Sequence, residues 1–158
     1  MKCHVLLLEN EGKEIHLLSP FSKDELKNVA SRSELFIGQL IEPEIGVVPG
    51  NVAYNKDFLV HVHSLVRDTM VNDAEVIRLA AEQPNGFVFI VDRRAPVGTG
   101  TSNEHVDKED IIGIFLCHER KTDVNRYRPN PDYLVISEKG SGQFPVEVEA
   151  RLSGLLQE

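Results

Sequence analysis

Two apolar stretches decide the fold of this chain: Phe87-Val88-Phe89-Ile90-Val91-Asp92 and Ile111-Ile112-Gly113-Ile114-Phe115-Leu116-Cys117. Each is strand-sized and apolar on both faces, the pattern of a strand buried in a core. The intervening Arg93–Asp110 is too polar and too Gly-rich for helix or strand, and connections of this length in compact domains are functional or disordered. The two segments therefore predict a central hairpin with a long loop. Val97 and Val106 are the only large apolar anchors in that loop. Its centre, Val97–Glu104, buries too little to offset an ordering cost of roughly 1–2 kcal/mol per residue, and is expected to be mobile. Gly113 inside a strand predicts a bulge or the close approach of another backbone.

Working outward, Lys2–Leu8 and Glu14–Leu18 read as strands around a turn at Glu9–Lys13. The first is apolar on both faces from Val5 onward and is expected to be central. Ser22 and Glu25 form a capping box, with Phe21 placed to staple onto Leu26. Leu35–Ile41 reads as a further strand, halted by Pro43. Asn55 opens a longer helix whose stripe is Phe58, Leu59, Val62, Leu65, Val66 and Met70. Asn72 and Glu75 repeat the capping pattern, Val71 faces Val76, and Glu75–Gln83 continues as helix until Pro84-Asn85-Gly86. Glu119–Asp132 is polar, with Pro129 and Pro131 resisting helix, and Tyr133–Ser137 is a short strand. Pro145 suits the first position of a final helix that buries Val148, Leu152, Leu155 and Leu156. The alternation Phe144, Val146, Val148, Ala150 leaves a strand as the alternative. The expected fold is α+β: one domain over 1–158, an antiparallel or mixed sheet of about five strands and three to four helices.

Composition narrows the function classes. At 158 residues the chain is long enough for one domain that buries roughly two-thirds of its unfolded surface. The net charge of −8 is evenly spread, with 8 basic and 12 acidic residues up to Leu79 and 9 and 13 beyond it. That field disfavours nucleic acid and anionic membranes as partners. No apolar run approaches the ~18 residues of a membrane span, and Val5–Leu8 is too short for the core of a signal peptide. A cytoplasmic location is expected. Cys3 and Cys117 lie in apolar segments and read as buried thiols; without a CxxC there is no zinc spacing.

Candidate sites are few. His61-Val62-His63 would share a face on a strand, but on a helix the two rings point about 200° apart and cannot share a ligand. The helix is the preferred reading, so no metal is expected. Asp92-Arg93-Arg94 offers a carboxylate and two guanidiniums for a phosphate or carboxylate. Under hairpin pairing the arginines fall near Glu109 and Asp110, where salt bridging explains all four residues. Gly98–Asn103 lacks the lysine and the helix of a phosphate-binding loop. His118 falls at the opposite end of the hairpin from Asp92 and His105, and there is no nucleophile elbow or HExxH. No catalytic residue and no cofactor are implied.

Charge separates along the second core strand. Glu104, Asp107, Glu109 and Asp110 precede it; Arg120, Lys121, Arg126 and Arg128 follow it, with Tyr127 and Arg128 of the types enriched in binding hot spots. The expectation is a small acidic protein that acts by protein–protein binding, immunity- or antitoxin-like or regulatory. Its binding residues would be Arg93, Arg94, Glu104, Asp107, Arg126, Tyr127 and Arg128, its partner a toxin or another basic protein. The alternative is a small hydrolase or phosphate-ligand-binding enzyme with its site on the 93–110 loop, using Asp92, Arg93 and His105. Oligomeric state is not legible.

Overall fold

The computed structural model describes residues 1–158. The central hairpin is present. β5 (Asn85–Val91) runs antiparallel to β6 (Ile111–His118), with Asn85 opposite His118 and Ile90 opposite Gly113. Val91 then pairs with Ile111, so Ile112 is an extra residue and the strand bulges there. β7 (Tyr127–Pro129) adds to the far side of β6. Its Tyr127 ring lies over Gly113, where a Cβ would come within 2.6 Å of the ring's Cζ. The bulge expected at Gly113 falls on its neighbour Ile112, and the group that approaches Gly113 is a side chain and not the expected backbone.

The architecture is α+β, with every strand pairing antiparallel, but it has nine strands in three sheets instead of about five in one. A four-stranded sheet runs β1 (His4–Asn10), β2 (Lys13–Ser19), β3 (Gly38–Leu40), β4 (Val52–Tyr54). A third sheet is the short pair β8 (Ile136–Ser137) and β9 (Gly140–Ser141). The uncounted strands β4, β7 and β9 are two or three residues long, too short to show a period of two, and β7 ends at a proline tolerated because it lies on an edge.

Four helices complete the fold: α1 (Lys23–Leu26), α2 (Lys56–Met70), α3 (Ala74–Ala81) and α4 (Val146–Ser153). Both halves of the Ser22–Glu25 capping box form, and the Asn55 side chain accepts from the Asp57 N–H to open α2. α3 is capped by Asp73, not Asn72: the Asp73 carboxylate accepts from Glu75 and Val76, one residue later than the capping pattern suggested. Pro145 stands at the N-cap of α4, and the strand alternative there is not realised. One apolar cluster joins Leu18 and Val52 of the first sheet, Ile90 and Phe115 of the second, Ile136 of the third, Phe58 and Val66 of α2 and Leu152 of α4.

Two expectations are corrected. β1 is not central; it is the outer strand of its sheet, with Val5 44%, Leu7 65% and Leu8 49% exposed. The long loop is held by backbone bonds instead of apolar anchors. Phe89 and Gly100 exchange N–H···O bonds of 2.7 and 3.2 Å, and the Val91 N–H donates to Thr99 Oγ1 at 3.2 Å. The loop thus returns to cover the outer edge of β5, whose donors would otherwise be unpaired. Deleting Gly98–Asn103 is accordingly expected to cost roughly 2–3 kcal/mol, about 1 kcal/mol for each lost bond. Urea unfolding of the deletion variant checks this; an unchanged midpoint would restore the mobile-loop reading.

Candidate functional site

The base of the long loop is a closed ionic cluster. Asp92, at the end of β5, is fully buried; its Oδ1 accepts from the N–H groups of Arg94 and Gln143 at 2.9 Å each, and its Oδ2 from Tyr133 Oη at 2.7 Å. The Arg94 side chain is 4% exposed. Its Nε donates to Asp110 Oδ1 at 2.8 Å, Nη1 to the carbonyls of Val135 and Gly140, and Nη2 to those of Glu109 and Leu134. That engages all five guanidinium donors. Asp110, also fully buried, takes the Lys139 ammonium on its other oxygen. Burial pushes the Asp110 carboxyl up, but the bonds from Lys139 and Arg94 outweigh it and hold the group below the usual range. Lys139, gripped by Asp107 and Asp110, is pushed up to about 12. Burial first, then the Asp92 charge, drives the Tyr133 phenol well above its ordinary value, so it stays a donor.

Three of the four predicted binding residues of this region, Arg93, Arg94 and Asp107, make bonds within the fold. Arg94 is interior, and Asp107 ties down Lys139. Arg93 donates Nε to the Phe144 carbonyl and lies 3.3 Å from Glu149. Glu104 and His105 are exposed, and His105 has a φ of 63°. None of the main surface grooves is lined by residues 93–110.

The open concavity is elsewhere, between α2 and Val124–Tyr133. It has a volume of about 610 Å³, and its lining contains Lys56 and Arg67 but no carboxylate. His63 Nδ1 and Tyr127 Oη meet there at 2.8 Å, and the Tyr127 ring packs on Phe115 at 5.2 Å. Burial lowers the His63 pKa and raises that of Tyr127, so near neutrality the pair is uncharged imidazole and phenol. A second groove of about 580 Å³ shares Val124 and adds Ile77, Arg120 and Lys121. Val60, Ile77 and Val124 are 57%, 55% and 42% exposed on this face. Arg126 stands 3.6 Å from Asp123, and Arg128 folds back on the carbonyls of Asn125 and Tyr127. The groove is bordered by a two-residue turn between His118 and Lys121, where Glu119 and Arg120 have φ of 49° and 64°, a left-handed backbone costing about 1–2 kcal/mol per non-glycine residue.

Of the predicted binding residues, Tyr127 lines this face; Arg126 and Arg128 are its chain neighbours but line neither groove, Glu104 is exposed on the long loop, and Arg93, Arg94 and Asp107 are bonded at the base of that loop. Sequence reasoning missed the His63–Tyr127 contact, whose only local signal was a histidine on the half-buried flank of an amphipathic helix. His61 lies on α2 as expected, with its Nε2 buried and unpartnered. No three His, Cys, Asp or Glu side chains come together in a metal-holding group. Cys3 and Cys117 are free thiols, and burial pushes both up. No helix is long and apolar enough to cross a membrane. Comparison of the chain with protein-family models, characterised proteins and solved structures finds no match.

Because His63 titrates lower in the folded state than the ~6.5 of a free imidazole, protons favour the unfolded chain. Its contribution to stability is complete above that value and declines as pH falls toward the folded pKa. Between pH 7.5 and 5.5 the wild type is expected to lose more stability in urea unfolding than a His63→Gln variant. Equal losses would show that the ring is freely protonated.

Proposed function

We propose that the protein acts by binding another protein, and that the face formed by α2, α3 and Glu119–Pro131 receives it. One observation carries the reading: in a chain of net charge −8, three exposed apolar side chains, Val60, Ile77 and Val124, line two adjoining grooves together with Lys56, Arg67, Arg120 and Lys121. Asp123 is the one carboxylate lining either groove, and α2, α3 and residues 119–131 also carry Asp57, Asp68, Glu75 and Glu119. Apolar anchors in a desolvated centre supply affinity, and a rim of one sign supplies steering and register. The docking segment that fits is acidic with apolar anchors. The overall negative charge suggested a basic partner, but docking responds to the local field, which falls off within about 8–10 Å at physiological salt. Neutralising a partner as an immunity protein does, or regulating one, requires no more than such a face.

The test is paired capture from the native host with the wild type and a Val60→Asp/Val124→Asp variant. Both positions are exposed, so the fold is expected to survive. A partner retained by the wild type is expected to bind the variant at least tenfold more weakly, and to protect α2 and residues 119–131 from hydrogen exchange. Equal binding by both proteins, or protection confined to other segments, contradicts the proposal.

A further inference from the structure

The outer strand of the four-stranded sheet is an edge with nothing laid over it. β1 is bonded to β2 alone. The Leu18 carbonyl accepts from the Ile37 N–H at 2.7 Å, so Leu18 turns its backbone groups toward β3. Val5 stands opposite Leu18, and Val5, Leu7 and Glu9 therefore turn their N–H and C=O groups away from β2, into solvent. No turn or loop bond reaches them. Exposed edges are ordinarily blunted by a proline, a lysine, a bulge or a covering loop, as Gly100 does for β5. β1 has none of these: its register is unbroken from His4 to Asn10, and its middle is Val5-Leu6-Leu7-Leu8. An apolar groove of about 570 Å³ runs beside it, lined by Leu6, Leu17, Leu26 and Phe36 among others.

We propose that β1 pairs antiparallel with β1 of a second copy, across a twofold axis at Leu7. Such an axis, perpendicular to the sheet, places residues of the same parity opposite one another. The outward-facing residues Val5, Leu7 and Glu9 all share one parity, so Val5 meets the other copy's Glu9 and Leu7 meets Leu7. At two bonds per hydrogen-bonded pair, about six N–H···O bonds form. The same register sets the exposed Leu8 against the half-buried Leu6, and the exposed Leu7 against its own copy. Charge agrees as well. The strand is basic at its start, with Lys2 and His4, and acidic at its end, with Glu9 and Glu11. Antiparallel pairing brings each start beside the other copy's end. One strand meets all three requirements when paired with itself, which selects a second copy over a foreign segment. This edge lies apart in sequence from the docking face above, and the inference does not rest on it.

Sedimentation velocity of the full chain, from low micromolar to about 100 µM, tests the proposal. The wild type is expected to double its mass across that range. Leu7→Lys and Leu7→Glu, each placing like charges on the axis, are each expected to stay monomeric with an unchanged melting temperature, since Leu7 is 65% exposed. Mixing the two variants is expected to restore the dimer. A wild type that stays monomeric throughout, a Leu7→Lys variant that still dimerises, or a mixture that stays monomeric overturns the proposal.

Discussion

The Arg94 guanidinium is the interaction on which the rest of the structure depends. Its planar fork meets one carboxylate and four main-chain carbonyls drawn from the start of β6 and from the Leu134–Gly140 segment. The Glu109 and Val135 carbonyls also accept the N–H groups of Leu134 and Gly142, so the guanidinium adds a second bond to those oxygens and supplies the Leu134 carbonyl, which would be costly to bury unpaired. The two buried carboxylates, Asp92 and Asp110, meet two cations, Arg94 and Lys139, the latter shared with the exposed Asp107. Desolvating ions in this way is tolerable only where each finds its counter-charge and its remaining hydrogen bonds. The cluster clamps the two ends of Arg93–Asp110 together. The loop can then leave the sheet and still return at Gly100 to cover β5.

That clamp relocates the functional question. A strand-end carboxylate beside two arginines has the composition of an anion site, but here Asp92 and Arg94 are turned inward, and the half-exposed Arg93 is held by the Phe144 carbonyl and Glu149. The same loop therefore contributes architecture, and the unspent surface lies where α2 and the segment after β6 leave valines and cations facing water. The strained Glu119–Arg120 turn sits at the border of that surface. Backbone held out of its preferred region persists where the surroundings enforce it, commonly at binding sites.

Some of this was legible in the sequence for identifiable reasons. The β5–β6 hairpin and α2 are long, strongly patterned elements, and local periodicity decides them. The Ser22–Glu25 and Asn55 caps are local hydrogen bonds between residues two or three apart. By contrast, β4, β7 and β9 exist because a longer neighbour offers them a ladder, and two or three residues carry no periodicity of their own. Val5–Leu8 shows a deeper limit: a strand apolar on both faces has the same pattern whether its second neighbour is within the chain or absent. The His63–Tyr127 contact joins residues 64 apart, so only the packing of α2 against the second sheet could reveal it. Salt bridging at the loop base was anticipated for Arg93, Arg94, Glu109 and Asp110; the Arg94–Asp110 bridge forms, whereas Arg93 pairs with Glu149 and Glu109 offers Arg94 its carbonyl. The participation of Tyr133 and Lys139 was not anticipated, because nothing local ties them to β5.

The most direct measurement of the clamp is a double-mutant cycle on Arg94→Met and Asp110→Asn by equilibrium urea unfolding. Each single change leaves buried charge without its partner and is expected to cost about 3–5 kcal/mol. The double variant is expected to lose clearly less than the sum, because the two costs share one cause. Single losses under about 0.5 kcal/mol, the size usual for exposed residues, or strictly additive losses would show that the fold does not hang on Arg94.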